Sequence, residues 1–208
     1  MRSRPASLSI AVTSALLVAA CTSATSMVHT WTAPDFQKAS VKKILVLGVA
    51  KDGATRRSYE DGFVSKLKAL GYQAVPGYLW APDATKIDHS ALNEKIHAEG
   101  VTHVLVTRLA AIRDVQTTVP TTVYTGPAYY GGWYSYYSWG YTTMVSPGYT
   151  VTNQVVTLET NFYDTAKKEE SAIVWSGTSD TWRGDTPASN ISSVISTLLE
   201  SMRSSHVL

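Results

Sequence analysis

KKILVLGVAKDGATRRSYEDGFVSKLKALGYQAVPGY, residues 42–78, decides the fold. Residues 43–50 are a short, unbroken apolar run of the kind that fills a central strand covered on both faces. Residues 52–55 form a turn with cap candidates. Tyr59, Phe63, Leu67 and Leu70 then recur at helical spacing, and Gly71 follows as a stop, so a helix is predicted over 56–70. Residues 72–78 read as a second strand that ends at the turn Pro76-Gly77.

The pattern continues downstream. Asp88 is an N-cap candidate for a second helix, Ile87 is placed to staple onto Leu92, and Gly100 closes the helix. Residues 101–115 begin apolar on both faces and suit another central strand. Residues 149–164 are long and β-branched, with Val156, Leu158 and Phe162 on one face. Residues 172–183 form a further strand, joined to it by a charged turn at 165–171. Asp185-Thr186-Pro187 opens the last helix, with proline in the first turn. There Ile191, Val194, Ile195, Leu198, Leu199 and Met202 make one apolar stripe. The expected fold is a single α/β (α+β) domain. It has a mixed sheet of about five strands, three helices packed on it, and an inserted hairpin or loop.

The N-terminus reads as an address. Arg2 and Arg4 precede a small apolar run at 6–20 that is short for a bilayer span and has the length of a secretory signal. The run ends in Val18-Ala19-Ala20-Cys21, which resembles the lipobox of bacterial lipoproteins. Cys21 is the sole cysteine of the 208-residue chain. That count excludes an internal disulfide and a multi-cysteine zinc site. The resemblance implies a signal peptide at 1–20 and a lipidated Cys21. A small polar tether at 21–30 and a body at 31–208 follow from the same reading. Thr22, rather than Asp, after the cysteine implies the outer membrane by analogy with Gram-negative sorting, with the body expected to face the periplasm.

The chain has 18 Lys and Arg against 16 Asp and Glu. The excess lies in Arg2 and Arg4, so the remainder is balanced, and no basic run exceeds two residues. A concentrated positive stripe for nucleic acid is therefore missing. Apolar residues make up 44% of the chain and charged residues 16%. That composition can bury a core and is not that of a disordered polyelectrolyte.

The fold-deciding segment, with VTHVLVTRL and ETNFYDTAKKEESAIVWSGTSDTW further on, resembles small Gram-negative lipoproteins of unknown function. Over residues 31–205 it is also similar in architecture to the periplasmic lipoprotein domains of penicillin-binding-protein activators and to the curli secretion lipoprotein. These resemblances imply an α/β periplasmic fold and bring no catalytic residues with them.

One segment stands apart. Residues 115–158 contain no charged side chain, and residues 124–149 hold ten aromatics interleaved with glycines. An insert of this length, 116–148, is usually functional or disordered. Its candidate interaction residues are Tyr129, Tyr130, Trp133, Tyr134, Tyr136, Tyr137, Trp139 and Tyr141. Three readings stay open: a cover for the domain's own sheet, a surface for a protein or glycan partner, or a membrane contact at headgroup level.

Signals for chemistry are weak. Residues 48–55 mimic the spacing of a phosphate loop, but Ala54 stands where its lysine belongs. Arg56 and Arg57 at a helix start are read as solvated or paired with Glu60 and Asp61. His29, His89, His97, His103 and His206 are scattered, and no two are spaced as a helical metal pair. His103 on an apolar strand is expected to be a satisfied core residue. There is no Gly-x-Ser-x-Gly elbow. Glu60 and Asp61 point about 100° apart on a helix, unlike a glycosidase pair. The reading is a non-catalytic accessory or scaffold lipoprotein without metal or cofactor. Its alternatives are a peptidoglycan- or glycan-binding module and a membrane-contacting oligomer subunit, with the oligomeric state open.

Overall fold

The computed structural model describes residues 24–83, 88–127, 141–167, 172–183 and 186–208. Its strands are β1 (Thr25–Thr32), β2 (Lys43–Val49), β3 (Gln73–Pro76), β4 (His103–Val119), β5 (Thr122–Pro127), β6 (Tyr141–Ser146), β7 (Tyr149–Asp164) and β8 (Ile173–Trp182). Its α-helices are α1 (Gly53–Ala69), α2 (His89–Ala98) and α3 (Pro187–Ser204). Six strands form one mixed sheet in the order β1-β8-β7-β4-β2-β3, and β5 and β6 form a separate hairpin. β3, β2 and β4 are parallel; β4, β7, β8 and β1 alternate in direction.

β2 shows why its apolar run is unbroken. Ile44 and Val46 pack into the larger core with α1 and α3. Leu45 packs with Ile96, Val101 and Val104 in a second core under α2. Both faces of the strand are thus covered, as its composition predicts. The helix stripes match as well: Val194, Ile195, Leu198, Leu199 and Met202 of α3 are all buried. Burying each such side chain contributes roughly 1.5–3 kcal/mol before entropy is counted.

The caps act where the sequence places them. Asp52 accepts from the Thr55 N–H at 2.7 Å and starts α1. Asp88 accepts from the Ala91 N–H at 3.1 Å and starts α2. Gly71 and Gly100 adopt φ of 91° and 64° after α1 and α2, a left-handed turn that favours glycine. Ile87 and Asp185 lie outside the described residues, and it is the Thr186 side chain that caps α3.

Four expectations need correction. The sheet has six strands rather than about five, because β1 occupies residues assigned to the tether. Its side chains are mostly exposed, and it is held as an edge by the β8 ladder from Thr25↔Thr181 to Thr32↔Trp175. α1 begins at Gly53 rather than Arg56, and Leu70 is its C-cap, 40% exposed instead of buried. β4 runs on to Val119, so the insert starts as regular strand. Finally, of the two readings of Arg56, pairing with Glu60 holds and solvation does not, because the pair is interior.

Candidate functional site

β4 and β7 are far longer than their neighbours. β2 pairs with β4 only as far as Arg108, and β8 pairs with β7 only from Val155 onward. Beyond these rows, among the described residues, β4 and β7 pair only with each other, from Asp114↔Gln154 to Val119↔Tyr149. The result is a two-stranded ribbon that leaves the body of the sheet. Ala110 forms a β-bulge between Leu109 and Ala111 near its base, the usual device for bending a strand out of a sheet.

Pairing register assigns the ribbon's two faces, because residues directly opposite share a side. Val115, Thr117 and Val119 of β4 lie with Asn153, Val151 and Tyr149 of β7. Asp114, Gln116 and Thr118 lie on the other side with Gln154, Thr152 and Thr150. One face is therefore mainly apolar and the other is polar. Tyr149 is 58% exposed and Val119 and Val151 are each 37% exposed, so the apolar face is open. Trp182, 46% exposed, pairs with Val155 at the base of that face.

The base is clamped by side chains. Arg113 donates to Asp180 at 2.6 Å, and Thr157 donates to the same carboxylate at 2.6 Å. The Arg183 N–H donates to the Gln154 carbonyl at 2.8 Å, and its guanidinium donates to the Gln154 side chain. Above Val119 and below Tyr149 the chain passes Pro120 and Pro147, which have no N–H for a ladder. Gly148 sits in this joint because a Cβ there would meet the Val119 carbonyl and the Thr121 N–H at 2.7 Å each. The hairpin then resumes as β5 and β6, from Thr122↔Ser146 to Pro127↔Tyr141.

Tyr141, among the proposed interaction residues, thus opens β6. Tyr129, Tyr130, Trp133, Tyr134, Tyr136, Tyr137 and Trp139 lie outside the described residues, as does Cys21. Sequence reasoning gave β7 as one long strand but ended β4 at Val115, and so missed the extension that pairs with it as a ribbon. Its signal was available in the alternation of Val115, Thr117, Val119 and of Tyr149, Val151, Asn153.

A second cluster lies at the start of α1. Glu60 has no exposed surface and Arg56 keeps 4%. The Glu60 carboxylate accepts from Arg56 Nε at 2.8 Å, from the Gly48 N–H at 2.9 Å and from the Tyr78 N–H at 2.7 Å. Arg56 also donates to the Ala81 carbonyl at 2.7 Å. Arg57 stacks over the Tyr78 ring at 5.4 Å, and the Tyr78 hydroxyl donates to Asp61 at 3.0 Å. The donors that a phosphate loop would offer are committed: Gly48 to Glu60, and Thr55 to Asp52. This cluster ties β2, α1 and the chain after β3 together, and its charges face each other rather than a cavity.

Deeper in, Tyr59, Thr107 and Thr160 form a buried hydroxyl chain with links of 2.6 and 2.9 Å. Burial pushes the Tyr59 phenol well above its ordinary range. His103 is buried, stacked on Phe162 at 4.8 Å with Phe36 at its edge. Its Nδ1 meets the Thr102 hydroxyl at 3.1 Å, while Nε2 has no hydrogen-bond partner among the described residues, so it is not the satisfied residue expected. Desolvation lowers its pKa, opposed by the nearby Asp164 charge. No three His, Cys, Asp or Glu among the described residues are grouped to hold a metal ion.

The architecture is that of an α/β domain with a six-stranded mixed sheet. Comparison with protein families finds no match, and comparison with curated proteins finds none either. Among solved structures, the chain is similar to the PelC dodecamer from Paraburkholderia phytofirmans, with a TM-score of 0.45 and 15% identity over 84% of this chain and 94% of that one. It is similar to lipoprotein GNA1162 from Neisseria meningitidis, with a TM-score of 0.39 and 12% identity over 78% and 99%. A DUF4136 family protein from Bacteroides thetaiotaomicron gives a TM-score of 0.41 and 14% identity over 86% and 95%.

Proposed function

We propose that this protein is a lipid-anchored lipoprotein of the bacterial outer membrane, facing the periplasm. In this reading it is a non-catalytic accessory or scaffold whose aromatic insert is its interaction surface. The observation that carries the reading is the lone Cys21, placed directly after Val18-Ala19-Ala20 and a basic, then apolar, leader. The position of β1 supports it. The sheet begins at Thr25, so the cysteine is separated from the fold by a short Thr-Ser-Ala linker. Thioether-linked diacylglycerol with an amide-linked acyl chain gives stable anchoring, whereas one acyl chain is marginal.

A non-catalytic role accords with the ionisable groups in the interior. Arg56, Glu60 and Tyr59 are engaged by partners of the fold itself. The test is expression of the full chain and of Cys21→Ser in a Gram-negative host, with mass spectrometry of the N-terminus and membrane fractionation. The expected result is an acylated N-terminal Cys21 and recovery in the outer membrane, both lost in the variant. A mature N-terminus without lipid, or equal fractionation of the two proteins, would overturn the reading.

A further inference from the structure

We propose that the ribbon formed by β4 and β7 is a membrane-contact element, lying with its apolar face in the headgroup region of the bilayer that holds the anchor. This rests on the lipid-anchor reading of Cys21.

The argument is one of topology and length. Register places Thr25, Thr181, Val156 and Ile112 in one row across β1, β8, β7 and β4. One step further out, the Trp182 N–H donates to the Ala24 carbonyl at 2.9 Å, in the row of Val155 and Arg113. β1 runs antiparallel to β8, so Ala24, its first residue outward, lies at the end of the sheet from which the ribbon departs. Only Thr22 and Ser23 stand between Cys21 and Ala24, so the two are at most about 10 Å apart along extended chain. The ribbon from Arg113 to Val119 continues about 20 Å past the same row. The tether is thus shorter than the ribbon and starts at its base. A body held this close to a bilayer brings the ribbon onto the surface.

The chemistry of the ribbon suits that place. Residues 115–158 carry no charge that would have to leave water. The apolar face presents Val115, Val119, Tyr149 and Val151 with Thr117 and Asn153 among them, and at its base stand Trp182 and Arg113, the latter paired with Asp180. The opposite face offers Asp114 and threonine and glutamine side chains to water. An apolar face sunk into the boundary between headgroups and acyl chains, with Tyr and Trp at headgroup level, is the arrangement of interfacial elements.

The full-length lipoprotein offers a direct probe, since its only cysteine is the acylated one. Val151→Cys on the apolar face, Thr152→Cys on the polar face and Lys68→Cys near the far end of α1 would each carry one environment-sensitive fluorophore. The labelled proteins are reconstituted into phosphatidylethanolamine and phosphatidylglycerol vesicles with and without nitroxide-labelled lipid. The expected result is a blue shift at position 151 and quenching severalfold greater than at 152 and 68. Val119→Cys repeats the measurement if Val151→Cys does not fold. Vesicle-bound, acylated protein whose 151 and 119 probes are quenched no more than the 68 probe would overturn the ribbon proposal and leave the anchor reading standing. A blue shift without lipid quenching would mean that a second copy covers the face, and would also overturn it. Protein that lacks acyl groups on Cys21 and does not join vesicles would sink both.

Discussion

Replacing Glu60 by alanine removes the acceptor of three donors at once. The structure gives the magnitude. The Arg56 guanidinium, 4% exposed, would keep the Ala81 carbonyl and lose its only carboxylate among the described contacts. Breaking a buried pair by deleting one partner costs about 3–5 kcal/mol. The Gly48 and Tyr78 N–H groups would also lose their acceptor, and an unsatisfied buried donor costs about 1–3 kcal/mol. These losses overlap, because water entering the space would serve several donors, so the expected destabilisation is about 4 kcal/mol. Glu60→Gln is the informative companion. Its amide oxygen can retain Arg56 and Gly48, but its NH₂ then faces the Tyr78 N–H, donor against donor. About half the loss is expected. Urea unfolding followed by tryptophan fluorescence reads both, since Trp175 is fully buried. At a typical slope of about 2 kcal/mol per molar, the alanine variant should shift its midpoint by about 2 M and the glutamine variant by about 1 M. An alanine midpoint within about 0.3 M of the parent would refute the buried three-donor arrangement.

Three further outcomes follow from the packing of the interior. Because burial lowers the His103 pKa below its unfolded value of about 6.5, the folded state binds fewer protons than the unfolded one below that pH. Stability should therefore fall as pH drops through and below 6.5, and His103→Phe should flatten that slope in urea titrations across the range. Gly77→Ala would put a Cβ 2.2 Å from Leu47 Cδ2 and 2.9 Å from the Val46 carbonyl; a loss of about 1–3 kcal/mol is expected in the same assay. Tyr59→Phe removes one end of the chain to Thr107 and Thr160, which should cost about 1 kcal/mol by equilibrium unfolding, with an unchanged circular dichroism spectrum.

Much of the fold was legible because local and global signals agree. Unbroken apolar runs marked the strands buried on both faces, and Asp52, Asp88 and Gly71 punctuated the helices. β1 was not legible. TSMVHTWT is mixed and mostly exposed, and it becomes a strand because the β8 edge offers a ladder. A pattern based on burial cannot see a strand that hydrogen bonds alone recruit. The pairing of Arg56 with Glu60 was anticipated, but its burial was not. Arg56 and Glu60 continue the stripe of Tyr59, Phe63, Val64 and Leu67, so position marked them as buried while residue type argued for solvent. Position prevails because Gly48 and Tyr78 supply backbone donors to a carboxylate at that site. Of the ribbon, the β7 half was legible as the long strand 149–164, whereas the β4 half past Val115 was assigned to the insert because its threonines and glutamine dilute the alternation.

The ribbon poses a physical problem that a lone domain in water leaves unsolved. Past the last rows shared with β2 and β8, its ladder partners are only its own two strands. An isolated two-stranded unit is marginal in water. Uncharged open edges are also templates for unwanted pairing, which sheets commonly suppress with lysine or other charges. Here that protection is missing over residues 115–158. Charge would be costly, however, for an element that rests in lipid headgroups, and a surface that covers the apolar face would also hold the ribbon in place. The absence of protective charge and the placement of Ala24 at the ribbon's base are separate features, one of composition and one of topology. Both are accounted for if the anchor and the ribbon meet the same membrane. Introducing Val151→Lys would then weaken the contact through the apolar face, whereas Thr152→Lys on the polar face would leave it intact. A comparison of fluorophore quenching in these two backgrounds separates a membrane-bound face from one that merely tolerates exposure.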